Sequence, residues 1–455
     1  MVIIFTIPKV QSYAALKFTE DINQKYNTNI AVEALQIQLN GAVELKKVYI
    51  EDHHQDTLIY MRKFSTSLLN LASFRNNKVQ LNNTTIEDLR FNIVHYKGED
   101  EDNLLYFINQ FRDPDELENL EDKKPFRLDA NFLLANNTHF TLVDDRKDKP
   151  DLFSIKNAIL NTEDFSINGK DFKANIRKIT GLTGRGFLIE DLQTQVSYSP
   201  TQLNLKDLNL KTDLSNIQGD ITMDYQSGDF TDFNNKVQLD AQFKYADLST
   251  SDLAKFYAEF GYGEKLSFNG HLTGVMNDFD LENINLSGMR NSKIIAQKLN
   301  FKNILDEEKS FILEGNFGKL QTDYSDLANL LPRILGKSLP EELSRFGELD
   351  IQGYTRIEGD DLKSDFTAQT SIGNAVVRLD FSNLSNQEFV NYTGDLSFKE
   401  IQLNKLLNDP KYGNVSFDLK VNGKGFRREF LDTELQGSIS SLTVNNYENK
   451  NIEVD

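Results

Sequence analysis

"VSFDLKVNG" (415–423) sets Val415, Phe417, Leu419 and Val421 at every second position, with Ser416, Asp418, Lys420 and Asn422 between them. A helix would scatter those four apolar residues around its circumference, whereas an extended chain lines them up on one face. The stretch is a strand with one dry and one wet side. The same period runs through "LNLKDLNLKTDLSNIQGDITMDY" (203–225), with Leu203 and Leu205 on its apolar side. Near the start it marks Ile30 and Val32, then Leu35, Ile37 and Leu39, then Val43 and Leu45, then Val48 and Ile50. The register slips between Val32 and Leu35 and between Leu45 and Val48, as a bulge or short turn makes it do.

Around 415–423 the sequence repeats itself. "LDAQFKYADLSTSDLAKF" (239–256), "LEGNFGKLQTDYSDLANLL" (313–331) and "YTGDLSFKEIQLNKLLN" (392–408) each read as a strand followed by a short helix. After each comes a strand ending in glycine: "KLSFNGHLTG" (265–274), "ELDIQGYTRIEG" (348–359) and "NVSFDLKVNGKG" (414–425). A second such strand follows in "FDLENINLSG", "LKSDFTAQTSIG" and "REFLDTELQG". Repeats of this kind cannot bury their faces alone and stack into one extended sheet. The inserted helices carry ordinary end signals: Ser325 before Asp326, Leu327, Leu330, Leu331 and Ile334; a capping-box spacing from Ser338 to Glu341; and Gly261 and Gly347 as stops after Phe260 and Phe346.

Other helices are few. Val10, Ala14, Phe18, Ile22 and Tyr26 recur every four residues from Pro8 to Tyr26, which predicts an amphipathic helix ended by "NTN" (27–29). The acidic "KGEDED" (97–102) precedes a short helix with Leu104, Phe107, Ile108 and Phe111 on one side. "FRDPDELENLEDKKP" (111–125) reads as a flexible connection. The opening "MVIIFTIPKVQ" has too few apolar residues to span a bilayer, which needs about 20. It is either the buried start of the first helix or the tail end of a transmembrane anchor. "NNYENKNIEVD" stops in mid-alternation at the other end, which suggests a longer parent protein.

The chain has 455 residues, 39% hydrophobic and 26% charged, with 32 Phe, no Trp and 8 Pro. That length exceeds what one core usually supports, and thin cores with one wet face give this balance. The net charge of −19 argues against nucleic acid or an anionic membrane surface as the main partner. With no cysteine, disulfides and thiolate-ligated metals are excluded.

"VYIEDHHQDTLIY" (48–60) raises the question of chemistry, because Asp52, His53, His54 and Asp56 are metal-binding and acid–base residue types. Neighbouring histidines on a strand point to opposite faces, and His95, His139 and His271 are scattered. The expectation is a solvated hairpin tip, with no metal or catalytic site. "TGLTGRGF" (180–187) leads into the strand-like "FLIEDL", which makes it a turn and not a phosphate-cradling loop. No P-loop, nucleophile elbow or H-E-x-x-H occurs, so an enzyme has no positive support and no cofactor is expected.

A long sheet with one apolar face must close on itself, stack helices, or curl into a trough open to an apolar guest. Helices are scarce here. The alternation suggests about 30–35 strands, which at roughly 4.8 Å spacing make a trough on the order of 150 Å long. Acyl chains or an unfolded strand are the guests such a channel suits. Its lining would include Val43, Leu45, Leu203, Leu205, Val415, Phe417, Leu419 and Val421, although the same residues would line any strand's closed core.

"IPKVQSYAALKFTEDINQKYNTNI" (7–30), "VELKKVYIEDHHQDTLIY" (43–60), "NIVHYKGEDEDNLLYFINQF" (92–111) and "LQTQVSYSPTQLNLKDLNLKTDLSNIQGDI" (192–221) resemble the TamB family, the AsmA-like translocation and assembly module subunit, in its Bacteroidota form. The resemblance implies a periplasm-crossing, taco-shaped β-groove anchored in the inner membrane of a Gram-negative bacterium. It implies phospholipid transport to the outer membrane, outer-membrane protein assembly, or both, with an outer-membrane barrel of the BamA/TamA class as partner. The family's full anchor and its C-terminal, barrel-engaging domain are not in this sequence, so an N-terminal fragment or truncated product is expected.

The expected fold is therefore mainly β: an elongated, mostly antiparallel repeat sheet curled into an open groove. The expected segments are an anchor remnant and helix over 1–28, an N-terminal β module over 29–112, a middle groove segment over 113–238, and AsmA-like repeats with helical inserts over 239–455. The alternative is a secreted or cell-surface β-solenoid, adhesive or carbohydrate-acting, with its apolar face sealed inside a coil.

Overall fold

The computed structural model describes residues 8–38, 41–68, 78–111, 127–146, 151–257, 260–306, 308–330, 341–386, 388–427 and 429–455. The expected connection over 111–125 therefore lies almost wholly outside the described residues, as do the anchor remnant before Pro8 and the capping-box serine at 338. The chain forms two compact units, Met1–Asp213 and Leu214–Asp455.

In the first unit, helix α1 (Pro8–Tyr26) leads into β1 (Asn29–Ile37), β2 (Ala42–Glu51), β3 (Thr57–Leu68) and β4 (Lys78–His95). After α2 (Asn103–Asn109) come β5 (Arg127–Asp144), β6 (Asp151–Asn168), β7 (Asp171–Thr183), β8 (Leu188–Ser199) and β9 (Gln202–Thr212). Each strand pairs with its sequence neighbour. All these pairs are antiparallel except β4–β5, which is parallel from Lys78↔Arg127 to His95↔Asp144. A parallel pair needs a crossover rather than a hairpin, and α2 lies within it.

The second unit is an antiparallel meander. Its strands are β10 (Asn216–Asp224), β11 (Gln238–Ser249), β12 (Lys265–Val275), β13 (Asp278–Gly288), β14 (Ser292–Lys302), β15 (Ile312–Thr322) and β16 (Leu349–Glu358). Then follow β17 (Asp361–Thr370), β18 (Gly373–Ser382), β19 (Asn391–Gln402), β20 (Tyr412–Lys424), β21 (Asp432–Val444) and β22 (Tyr447–Val454). Besides α3 (Phe233–Lys236), this unit has α4 (Thr250–Leu253), α5 (Tyr324–Leu330) and α6 (Leu403–Leu407), which follow β11, β15 and β19. The repeat read from the sequence is thus four strands with a helix after the first. Strands four apart in a meander run the same way, so all three inserts leave the sheet at the same rim. No described strand pairs back to close a barrel. The described strands number 22, below the count expected from alternation, because individual strands are long, up to 18 residues in β4, β5 and β6.

Helix α1 has the bounds its spacing predicts, but it does not dock by an apolar stripe. Phe18 is exposed, as are Tyr13 and Leu16, while Gln11, Ala15 and Thr19 are buried. The docking face is polar because it satisfies the free edge of β1. Gln11 donates Nε2 to Ile37 O at 2.8 Å and accepts Ile37 N at 2.9 Å. Asn23 does the same with Ile30, at 2.9 Å each way. Two side-chain amides thus stand in for the missing strand.

The helical inserts differ from their sequence signals in detail. Asp323, not Ser325, caps α5 by accepting the Asp326 amide at 2.8 Å. After Ser249, α4 runs for a single turn, so Gly261 does not terminate a helix. Gly347 does follow the 3-10 turn Glu341–Phe346 with φ of 69°. The shared "SDLA" of the first two inserts buries an aspartate against a serine at or just before the start of an earlier strand. Asp252 accepts Ser215 Oγ at 2.8 Å, and Asp326 accepts Ser292 Oγ at 2.7 Å.

Both units carry a line of interruptions across their strands. In the first unit the ladder is interrupted where Glu33, Lys47, Arg62, Asp88 and Asn137 lie side by side on consecutive strands. Lys47, Asp88 and Asn137 are left-handed there, with φ of 46°, 54° and 50°. Asp207 in β9, Asn283 in β13 and Glu400 in β19 repeat the conformation. Bulged positions bend a strand and raise its twist. Bending neighbours at one level folds the sheet along a line across its strands. At the slips expected at Val32/Leu35 and Leu45/Val48 the Glu33–Lys47 pair drops out of the ladder inside continuous strands, with the same register kept on either side.

Candidate functional site

The apolar sides of the strands join into unbroken rows, because paired residues share a face. In the first unit one row runs Leu35, Leu45, Phe64, Ile86, Ala135, Leu160, Ile179, Leu192, Leu210 from β1 to β9. In the second, Ile217, Ala246, Phe268, Leu286, Ile294, Leu320, Ile351, Ala368, Ala375, Phe398, Phe417, Ile439 and Ile452 join β10 to β22. The opposite face is wet: Asp365, Arg378, Asp395 and Lys420 are successive cross-strand partners of alternating charge.

All eight residues read from the sequence as lining lie on the apolar faces. Val43 and Leu45 sit on β2, opposite Ile37 and Leu35, and both are half-buried. Leu203 and Leu205 on β9 face Tyr198 and Val196 and are also half-buried. On β20, Val415, Leu419 and Val421 are buried and Phe417 is half-buried. Val415 packs with Ile372 and Ile401 under Leu403 and Leu406 of α6, while Leu419 and Val421 pack with Val390 and Tyr392.

On the apolar face, several enclosed residues stand beside interruptions of the ladder: Val48 at 5% exposure, Ala135 at 0%, Ile284 at 3%, Ile401 at 0% and Val415 at 3%. Other residues of the same rows are only half-buried, as at Leu45, Phe64, Phe268, Ile294 and Phe398. The apolar clusters draw their members from consecutive strands and from the rim elements beside them. Among the described residues only short rim elements pack over the face, as Leu403 and Leu406 of α6 do over Val415. Each unit therefore presents an apolar strip with a tight floor and looser walls.

The chemistry-bearing residues gather elsewhere, at the turn between β2 and β3. Asp52–Asp56 is a turn, with Gln55 left-handed at φ 65°, so the strand rule that sent His53 and His54 to opposite faces does not apply. Both rings reach one carboxylate: His53 Nε2 lies 2.8 Å from Glu99 Oε2 and His54 Nε2 lies 2.7 Å from Glu99 Oε1. His53 stacks on Tyr106 at 3.8 Å between centroids, and His54 lies 3.9 Å from Tyr96. Beneath them the buried Asp52 accepts the amides of His54 and Asp56 through Oδ1, and Asn103 Nδ2 and Tyr96 OH through Oδ2. The hydrogen bond from His54, then that from His53, holds the Glu99 carboxyl below its usual range against the opposing effect of burial. Burial, then the Asp52 and Asp56 carboxylates, push the Tyr96 phenol well above its usual range. "TGLTGRGF" is the turn it was read to be, closed by Thr183 N to Phe187 O at 3.1 Å.

Among the described residues no helix is long and apolar enough to cross a membrane. Compared with family models, curated proteins and solved structures, the chain matches none.

Proposed function

We propose that the chain is a non-enzymatic carrier whose sheet takes apolar guests, in the manner of the TamB family it resembles. The guests are phospholipid acyl chains on their way to the outer membrane, unfolded outer-membrane strands, or both. The observation that carries this reading is an apolar face that only short rim elements cover among the described residues, continuous from Leu35 to Leu210 in one unit and from Ile217 to Ile452 in the other. Leaving that much apolar surface half-wet costs free energy that a guest would recover, at about 0.8 kcal/mol per buried methylene. The sequential pairing, antiparallel everywhere but between β4 and β5, also argues against a coiled solenoid, in which the apolar face would be sealed inside. The periplasmic setting, the inner-membrane anchor and the BamA/TamA-class barrel partner rest on the sequence resemblance.

The test is lipid extraction and native mass spectrometry on the purified chain, with a photo-crosslinkable phospholipid as the second readout. Co-purified phospholipid crosslinking to Leu45 and Phe417 supports the carrier. A folded protein that repeatedly yields no lipid and no crosslink overturns the lipid reading.

A further inference from the structure

We propose that His53, His54 and Glu99 form a binding site for a divalent transition-metal ion of the zinc type, independent of the apolar face. Their candidate ligand atoms all lie within 4.8 Å of one another. Two imidazoles and a carboxylate form a donor set that suits zinc, copper or nickel and disfavours magnesium and calcium. Ligands at zinc distances of about 2.0–2.1 Å in a tetrahedron stand roughly 3.3 Å apart. The present Nε2-to-oxygen separations of 2.8 and 2.7 Å need only a small spread to admit the ion.

The three donors are held in place before any ion arrives. The Asp52 carboxylate fixes the backbone of the histidine turn, and the two tyrosine rings fix the imidazole planes. The Glu99 loop is tied down by its own amide to Tyr96 O at 3.3 Å and by its carbonyl to His95 Nε2 at 2.8 Å. The His53 side chain is 13% exposed, Glu99 29% and His54 43%, so the site is walled on one side and open to solvent on the other. His53 Nδ1 is buried without a hydrogen-bond partner. With the metal on Nε2 the ring proton sits on Nδ1, so this ligand lacks the carboxylate or carbonyl that usually supports a metal-bound histidine. The ion would bind more weakly than in a site with such support. It would clamp the β2–β3 turn to the segment after β4, joining parts of the chain 45 residues apart.

The experiment titrates zinc alone into the chelator-treated full chain, followed by calorimetry and by the thermal midpoint. The expected result is one zinc per chain and a raised midpoint, with nickel or copper also binding and magnesium and calcium inert at the same concentration. His54→Asn, His53→Asn and Glu99→Gln should each weaken zinc by about tenfold or more. His271→Asn, whose ring pairs with Asp240 2.7 Å away, should bind as the parent does. His54 is the most exposed ligand, so its variant keeps the test valid if His53→Asn fails to fold; circular dichroism reports folding for each. Absence of saturable zinc binding, equal binding by calcium, or unchanged affinity in a folded His54→Asn protein overturns the site. None of these outcomes bears on whether lipid binds the apolar face.

Discussion

Asn137 donates a side-chain hydrogen bond to Asp88 across the parallel β4–β5 pair, and both residues hold the left-handed conformation at one level of the sheet. That bond and Arg62 hold the Asp88 carboxyl below its usual range, the Asn137 bond contributing most. The pair marks a level at which the ladder between neighbouring strands is interrupted.

These interruptions make a backbone prediction. Asp207 sits at φ 51°, a region that glycine enters freely and β-branched residues resist. Asp207→Val should cost about 1–2 kcal/mol, and Asp207→Gly much less. Urea unfolding of the two variants checks it. Equal destabilisation would mean that the side chain matters and the bend does not.

The floor and walls of the strip should respond differently. Ile401 is fully buried beside the Glu400 bulge, so Ile401→Ala should cost about 2–5 kcal/mol. Phe417 is half-buried on a wall, and Phe417→Asp should cost about 1–3 kcal/mol while abolishing lipid crosslinking. Thermal melts read the first effect, and the photo-crosslinked phospholipid reads the second. If Phe417→Asp unfolds the protein outright, that wall is part of a closed core.

Helix α1 predicts a change in association. Gln11→Ala combined with Asn23→Ala removes the groups that occupy the Ile37 and Ile30 backbone positions on β1. An edge strand freed in this way invites pairing with a second copy. Sedimentation velocity should show concentration-dependent self-association absent from the parent, and a strictly unchanged profile would mean the helix covers the edge without those bonds.

Tyr96 predicts an alkaline limit. Burial and the neighbouring Asp52 and Asp56 carboxylates raise its phenol, so the folded chain keeps a proton that the unfolded chain releases near pH 10. Its contribution is whole below about pH 10 and is lost as pH rises further. Tyr96→Phe should lower stability at neutral pH by about 1–2 kcal/mol and flatten that alkaline decline, as followed by urea midpoints across the range.

Strand alternation and the glycine-ended repeat were legible because both are local signals. The polar docking face of α1 was not, because an apolar helical wheel cannot register amides aimed at an unpaired strand edge. The convergence of His53 and His54 was missed because alternation was carried through a turn that Gln55 breaks. The interruptions did leave a signature: an apolar residue, two polar ones, then another apolar one, as in "LKKV" (45–48), "IEDL" (86–89), "LKDL" (205–208), "LENI" (281–284) and "FKEI" (398–401). The second polar residue is left-handed in all five, at Lys47, Asp88, Asp207, Asn283 and Glu400. Only the first of them was read as a slip in register. The "SDLA" pair was visible too, but its buried serine partners lie 37 and 34 residues earlier, beyond any local pattern.

The helical inserts all share one rim because each repeat holds an even number of strands. The molecule can therefore be lengthened or shortened in whole modules of four strands, about 19 Å each, without turning any insert to the other rim. A gain or loss of one strand would reverse the direction of everything after it. Reach is thus a quantity that evolution could set by copying modules, with the wet face, the dry face and the decorated rim carried along unchanged.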